Sequence, residues 1–304
     1  MPLQLTHRDE QTLLALLKLP LTSQQLFRLS STFSQSFPSE RVTRRRLQRL
    51  TEEGMLRRFY FAFPSNGRNP AYWRLTRKSY HLLGEIMGEL PSPKRSLFST
   101  IGVSLHFHTH RVSEVVVKLL VDAHQAGIET EDVQIESAIG SVETEMIVPD
   151  ATLTLQCEGR RFRFYIELDT ASERIATLQR IPSSIQKKLE LYERHRRSSR
   201  SQFRVLFVTT SSKRRAMNIL RFGAGLTNNF SAQSIYAAFC DDLLQPGNAV
   251  TIKRFLNHRL ELTNLVRTPR FCRLNLRLPV SDRIMAELNA KEFTPRWTSA
   301  TVTQ

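Results

Sequence analysis

The sequence predicts an α/β protein in two parts: a small helix-rich unit with a hairpin over residues 1–92, and a larger α/β unit with a mixed central sheet over 97–292. Three observations carry this. Between Thr6 and Leu50, apolar residues recur at helical spacing in three short segments separated by Pro20 and Pro38. Two extended runs then flank Ser65-Asn66-Gly67-Arg68-Asn69-Pro70, a turn sequence. From His110 onward helical and extended patterns alternate, as in an α/β sheet domain. A chain of 304 residues is long enough to give each unit a core.

The first helix is expected over about Thr6 to Leu19, with Thr6 as cap, Asp9 and Glu10 in the first turn, and Leu13, Leu14, Leu16 and Leu17 as the apolar face. Ser23 is expected to cap a second helix carrying Leu26, Phe27 and Leu29. Pro38-Ser39 opens a third and very basic one. There Val42, Leu47 and Leu50 are read as inward, leaving Arg41, Arg44, Arg45, Arg46 and Arg49 mostly outside. Gly54 stops it. The extended runs Arg57–Phe63 and Ala71–Thr76 follow, then a fourth helix from Lys78 to Glu89 and a linker, Pro91-Ser92-Pro93-Lys94. Helix, glycine stop, strand, Arg-bearing turn and strand is the order of a winged helix-turn-helix. That fold sets its basic helix in the DNA major groove and its wing on the backbone or minor groove. Arg41, Arg44, Arg45, Arg46 and Arg49, with Arg68, Trp73 and Arg74 at the wing, are therefore the candidate DNA-binding residues.

Charge points the same way. Lys and Arg number 44 against 28 Asp and Glu, for a net +16, a surplus that seeks polyanions. It is also segregated. Residues 1–95 hold 16 basic against 7 acidic side chains and residues 160–215 hold 15 against 5, while 113–150 carry 9 acids and only Lys118. No apolar run reaches membrane-spanning length, and no signal pattern opens the chain, so no membrane partner is expected. Cys157, Cys240 and Cys272 match neither a disulfide framework nor a zinc site, and are read as thiols of a reducing cytoplasm.

In the second unit a helix is expected from His110 to Ala126, then extended segments at Val133–Ile139, Glu145–Val148, Ala151–Gln156 and Arg161–Leu168, the last two joined by a turn at Glu158-Gly159. A helix interrupted at Pro182 continues through Ser183–Arg197. A buried strand at Phe203–Thr209, a helix over Lys213–Phe222 and a strand at Ser234–Phe239 complete the order, and residues 293–304 are expected to be a disordered tail. His106, His108 and His110 alternate, so an extended backbone would set all three on one face.

Pro149-Asp150 heads one strand of the predicted hairpin, and Glu167-Leu168-Asp169 ends its partner. Carboxylates at neighbouring strand ends can share one hard cation, since Mg²⁺ takes one or two carboxylates with water and phosphate oxygens. Beside DNA, such an ion activates water and stabilises the phosphate under attack.

Pro149-Asp150, Tyr165-Ile166-Glu167-Leu168-Asp169-Thr170-Ala171, Lys188-Leu189-Glu190-Leu191-Tyr192 and Leu206-Phe207-Val208-Thr209 together resemble the plasmid replication-relaxation family. That family joins an N-terminal winged helix to a restriction-endonuclease-like domain of the PD-(D/E)xK type and includes relaxases of some mobilisable plasmids. The resemblance covers roughly residues 5–240. It implies Asp150 and Glu167 as Mg²⁺ ligands and a catalytic set of Asp150, Glu167, Asp169 and Lys188. The nuclease pattern has a Lys where this chain has Asp169. Lys188, on the following helix, is then read as a relocated lysine, with Tyr192 one turn further on the same face. Asp169 is read either as a further metal ligand or as the mark of a domain that no longer cuts. Glu114 and Glu136 are lesser candidates to face the site.

The expected protein binds double-stranded DNA in the cytoplasm of a bacterium, with a homodimer as one form of assembly, and its second unit nicks DNA with Mg²⁺. The alternative is a non-catalytic replication or transcription regulator with a degenerate nuclease-like domain. A third reading is an interaction scaffold whose charge is incidental.

Overall fold

The computed structural model describes residues 5–63, 67, 69–88, 90, 92–136, 140–142, 145–171, 175, 185–198, 202–226 and 234–266. Arg68, Pro182, Cys272 and the expected tail lie outside them.

The N-terminal unit runs α1 (His7–Lys18), β1 (Leu21–Thr22), α2 (Ser23–Leu29), α3 (Glu40–Glu52), β2 (Leu56–Tyr60), β3 (Ala71–Leu75) and α4 (Arg77–Met87). Local chemistry fixes each boundary. Thr6 and Asp9 form a reciprocal capping box on α1. On α2 the cap is Thr22, paired with Gln25, one residue earlier than expected, because Gln25 supplies the return hydrogen bond to the Thr22 backbone. Ser39 accepts from Val42 N at 3.3 Å to start α3. That helix ends in a Schellman turn: Gly54 N donates to Thr51 O at 3.0 Å and Met55 N to Leu50 O at 2.9 Å, with Gly54 at φ 71°. The three short strands pair antiparallel in the order β1-β3-β2.

The second unit is built on a seven-stranded mixed sheet. Its elements are α5 (His106–Gln125), β4 (Glu129–Ile135), β5 (Gly140–Val142), β6 (Glu145–Ile147), β7 (Ala151–Cys157), β8 (Arg160–Asp169), α6 (Ile185–Ser198), β9 (Arg204–Thr209), α7 (Lys213–Leu226), β10 (Ile235–Phe239), α8 (Cys240–Leu244), β11 (Phe255–Leu256) and β12 (Leu262–Thr263). Strands lie in the order β12-β11-β10-β9-β8-β7-β4, with β8, β9 and β10 parallel and the outer pairs antiparallel. The mixed α/β architecture agrees with the sequence. β5 and β6 form a separate ribbon and do not join the main sheet. The β7–β8 turn places Glu158 and Gly159 both at positive φ, 51° and 73°, the twist a two-residue hairpin requires.

Two apolar layers sandwich the sheet. On one face Leu153, Leu155, Phe164, Ile166, Leu168, Leu206 and Val208 pack against Val112, Val115, Val116 and Leu119 of α5, in a cluster that continues into Leu13, Leu26 and Leu50 of the N-terminal unit. On the other, Tyr165, Val205 and Phe207 meet Leu189 and Tyr192 of α6 and Ile219 and Leu220 of α7. Fully burying one such side chain contributes about 1.5–3 kcal/mol, so both helical layers hold the sheet firmly.

α5 begins at His106, four residues before the expected His110. The apolar spacing after Val112 propagates helix backward through the histidines, and the shared extended face does not form. His106 is buried; its Nδ1 accepts from Ala62 N at 2.6 Å and its Nε2 lies 2.9 Å from Ile101 O, so Nε2 is the donor. His110 stands edge-on to Phe61 and Phe63. His108 alone turns towards the sheet end. The units are further joined by Ser113 Oγ donating to Pro20 O at 3.0 Å, Gln25 Nε2 to His110 O at 3.3 Å, and an ion pair of Arg28 with Glu114 at 2.6 Å.

Candidate functional site

Asp150 and Glu167 come together through sheet register. The antiparallel ladder pairs Ala151 with Ile166, and one further step sets Asp150 across from Glu167 on the face covered by α6. Asp150 Oδ2 accepts from Leu168 N at 2.7 Å, which holds its carboxylate against the end of β8. Glu167 is buried, with its side chain 4% exposed. Lys188 reaches back from α6 and places Nζ 3.0 Å from Glu167 Oε2, while Tyr192, one turn on, donates its hydroxyl to Glu167 Oε1 at 2.5 Å. His108 Nε2 lies 3.0 Å from Asp150 Oδ1.

The electrostatics follow from this crowding. Burial pushes the Glu167 carboxyl up to about 7; Lys188 pulls against that shift and the Asp150 charge adds to it. Burial and Glu167 together drive the Tyr192 hydroxyl well above its ordinary value, so it acts as a hydrogen donor. At His108 burial favours the neutral ring, but the hydrogen bond and charge of Asp150 outweigh it and the net shift is upward. Glu136 adds to that shift and donates its backbone N–H to Asp150 O at 3.2 Å. Glu114 does not face the notch: it faces Arg28 and His110 between the units.

Asp169 shares the sheet face of Glu167 but is committed elsewhere. Arg215 of α7 grips it from two nitrogens, with Nη2 2.8 Å from Oδ1, and Ala171 N donates to the same oxygen at 3.0 Å. The i, i+2 spacing from Glu167 did place it on the right face, but the guanidinium from α7 was not legible in β8 alone.

The two carboxylates of the notch suit Mg²⁺, which takes one or two such ligands and completes its shell with water and phosphate oxygens. Among the described residues no group of three or more His, Cys, Asp or Glu side chains gathers as a metal cluster. Asp150 Oδ1 and Glu167 Oε2 each already face a basic side chain, His108 and Lys188, with which Mg²⁺ would share these oxygens.

On α3, Arg41, Arg44, Arg45 and Arg49 are exposed, while Thr43, Leu47 and Leu50 are buried. Val42 packs half-buried against the core as expected, and Thr43 is buried beside it, its hydroxyl bonding Ser39 O at 3.0 Å. Arg44 is braced by Glu40 at 2.7 Å. Arg46 departs from the expected surface: its Nε donates to Asp9 Oδ1 at 2.7 Å and a second nitrogen grips Oδ2, tying α3 to the start of α1. Burial opposes ionisation of Asp9, but bonds from Arg46 and Thr6 prevail and hold its carboxyl below the ordinary value. Two residues expected at the wing are also placed differently. Trp73 is buried in the core at 3% exposure, because β3 is the central strand and Trp73 belongs to the apolar cluster that holds Leu13 and Leu16 of α1. Arg74 turns onto the carbonyls of Ser96 and Ser99. The exposed β2 residues Arg57, Arg58 and Tyr60 were missed as surface candidates; their alternation with apolar neighbours is weak, and edge exposure appears only with the strand order.

Fold and site define an α/β protein with an arginine-faced helical unit and a carboxylate–lysine notch at the ends of two interior strands of a mixed sheet. The family model for replication-relaxation matches residues 14–205, more than half of the 304-residue chain, and the protein belongs to that family. No curated protein and no solved structure matches it. No helix among the described residues is long and apolar enough to cross a membrane.

Proposed function

We propose that this is a DNA-binding replication protein whose N-terminal unit works as a winged helix and whose second unit is a restriction-nuclease-like domain that nicks DNA with Mg²⁺. The observation that carries the reading is Lys188 Nζ, 3.0 Å from Glu167 Oε2, beside the carboxylate that register sets opposite it. The exposed arginines of α3 supply duplex binding: Arg44, Arg45 and Arg49 approach phosphates or base edges. In the notch, Asp150 and Glu167 would hold Mg²⁺, which supplies Lewis acidity and a more acidic bound water. Tyr192 and His108 fix the orientation of the two carboxylates, and the Lys188 ammonium offers positive charge where a transferred phosphoryl group gains negative charge.

A second reading, a regulator that does not cut, draws on the same residues. Glu167 is buried with its carboxyl raised to about 7, and Asp169 is neutralised by Arg215. One experiment separates the two. Purified protein is incubated with supercoiled plasmid bearing its cognate origin, with and without Mg²⁺, and nicked circles are scored on gels. Nicking that needs Mg²⁺ and disappears in Glu167→Ala, with binding retained, supports the enzyme; wild type that binds and never nicks supports the regulator. Duplex binding is tested separately. Replacing Arg44, Arg45 and Arg49 together by Gln should flatten the log–log salt dependence by up to about three units.

A further inference from the structure

The face of β8 that carries Glu167 continues to a second group of basic residues. Arg163 stands four residues before Glu167 and so on the same side of the sheet. α6 runs alongside in the opposite sense. Lys188 meets Glu167, Tyr192 stacks on Tyr165 with ring centres 5.9 Å apart, and His195 arrives beside the Tyr165 and Phe203 rings at 6.3 and 5.2 Å. Arg196 lies 4.2 Å over the Phe203 ring and donates to Phe203 O at 2.6 Å.

Arg163, His195 and Arg196 are half-buried, and among the described residues none has a carboxylate within ion-pair distance. Glu193, whose charge reaches Arg196, is held by Arg197 at 3.0 Å. Burial first, and then the charges of Arg196 and Arg163, hold the His195 ring below its ordinary value, so it is neutral and offers one N–H. Packing on Phe203 accounts for Arg196. It does not account for Arg163, which lies on the same face of β8 two residues before Tyr165 and whose charge reaches the neutral His195 ring. Two half-buried guanidiniums whose charges both reach one neutral N–H donor present the charge-assisted donors that an anion takes.

We propose that Arg163, His195 and Arg196 form a binding site for a backbone phosphate of the DNA strand that enters the Asp150–Glu167 notch. The inference rests on the DNA-binding reading above. Four strand residues span about 13 Å and the seven helix residues from Lys188 to His195 about 10 Å. At about 3.4 Å of rise per nucleotide, the phosphate lies roughly three to four steps from the notch. The site sets the strand's register relative to the carboxylates and carries no base information.

The test uses the full chain and a short fluorescein-labelled duplex, read by anisotropy across a NaCl series. Arg163→Gln should flatten the log–log salt slope by about one unit, and Arg163→Lys should restore it. His195→Phe should leave the slope unchanged and weaken binding roughly two- to tenfold, the loss of one neutral hydrogen bond. Ethylation interference should lose a single phosphate in Arg163→Gln. A folded Arg163→Gln protein with the wild-type slope and interference pattern overturns the phosphate site and leaves duplex binding by α3 standing. Wild type that does not bind duplex overturns both.

Discussion

Lys188 Nζ lies 3.0 Å from Glu167 Oε2, an ion pair between a helix and the strand beneath it, in which the carboxylate is buried and the ammonium partly open to solvent. The carboxylate alone bears most of the desolvation, and the lysine offsets it while staying hydrated. Removing the lysine therefore acts mainly through Glu167. Lys188→Met keeps the aliphatic stem and deletes the charge. At pH 8, where the wild-type pair is ionised, the variant should lose about 3–5 kcal/mol, the cost of stranding one member of a buried pair. At pH 5 Glu167 is protonated in both proteins and the difference should shrink to about 1 kcal/mol, one hydrogen bond. Urea unfolding at the two pH values measures this; equal losses at both would mean that the lysine acts through packing.

Glu167 itself sets a stability–pH trend of definite sign. Its folded carboxyl, at about 7, is raised above the ordinary value of 4.5, so between those values the folded state binds the extra proton. Its contribution is fully present below about pH 4.5 and is lost as pH rises through 7, on the order of 3 kcal/mol in total. Glu167→Gln should remove that slope without added divalent metal and leave the variant as stable as wild type or more so at pH 8. Unfolding midpoints across pH 5 to 8 check it, and a Gln variant that keeps the wild-type slope places its origin in another group.

Much of this site could be read in the chain. Period-two alternation in Leu153, Leu155, Phe164 and Ile166 fixed the hairpin, and the hairpin fixed Asp150 across from Glu167. Lys188 and Tyr192 were legible as one face of a helix. What escaped depends on contacts between distant segments. Arg215 comes from α7 to take Asp169, Arg46 crosses from α3 to Asp9, and Trp73 is buried because β1 pairs beside β3. The histidines failed for a local reason: His106, His108 and His110 fit period two by themselves, and only the valines after them carry the helical period that wins.

The Arg28–Glu114 pair predicts that the two units unfold together. It spans α2 and α5 at 2.6 Å, next to the Ser113–Pro20 and Gln25–His110 bonds, and the apolar cluster beneath it is continuous. Glu114→Ala should cost about 1–3 kcal/mol, because the partly buried guanidinium is left without its acceptor. Fluorescence of Trp73, read in a Trp297→Phe background, and far-ultraviolet dichroism should nevertheless trace one transition. Two separated transitions in wild type would show that the shared core does not couple the units.

The last prediction separates neighbouring arginines on one helix by what each touches. Arg46 is tied to Asp9, whose side chain is inaccessible to solvent, whereas Arg45 is exposed. Arg46→Met should destabilise the N-terminal unit by about 3–5 kcal/mol, since Asp9 keeps its charge and loses its main partner. Arg45→Ala should change stability by no more than about 0.5 kcal/mol. On duplex DNA the order reverses: Arg45→Ala should lower the salt slope by about one unit, while folded Arg46→Met, assayed well below its melting temperature, should keep the wild-type slope. Acid should mimic the Arg46 change. The Asp9 carboxyl is held below its ordinary value of 3.8, so its contribution is present above that pH and is lost as pH falls through the lower folded value. If Arg46→Met melts like wild type and loses a unit of salt slope, the guanidinium is released from Asp9 when DNA binds, and α3 presents five arginines rather than four.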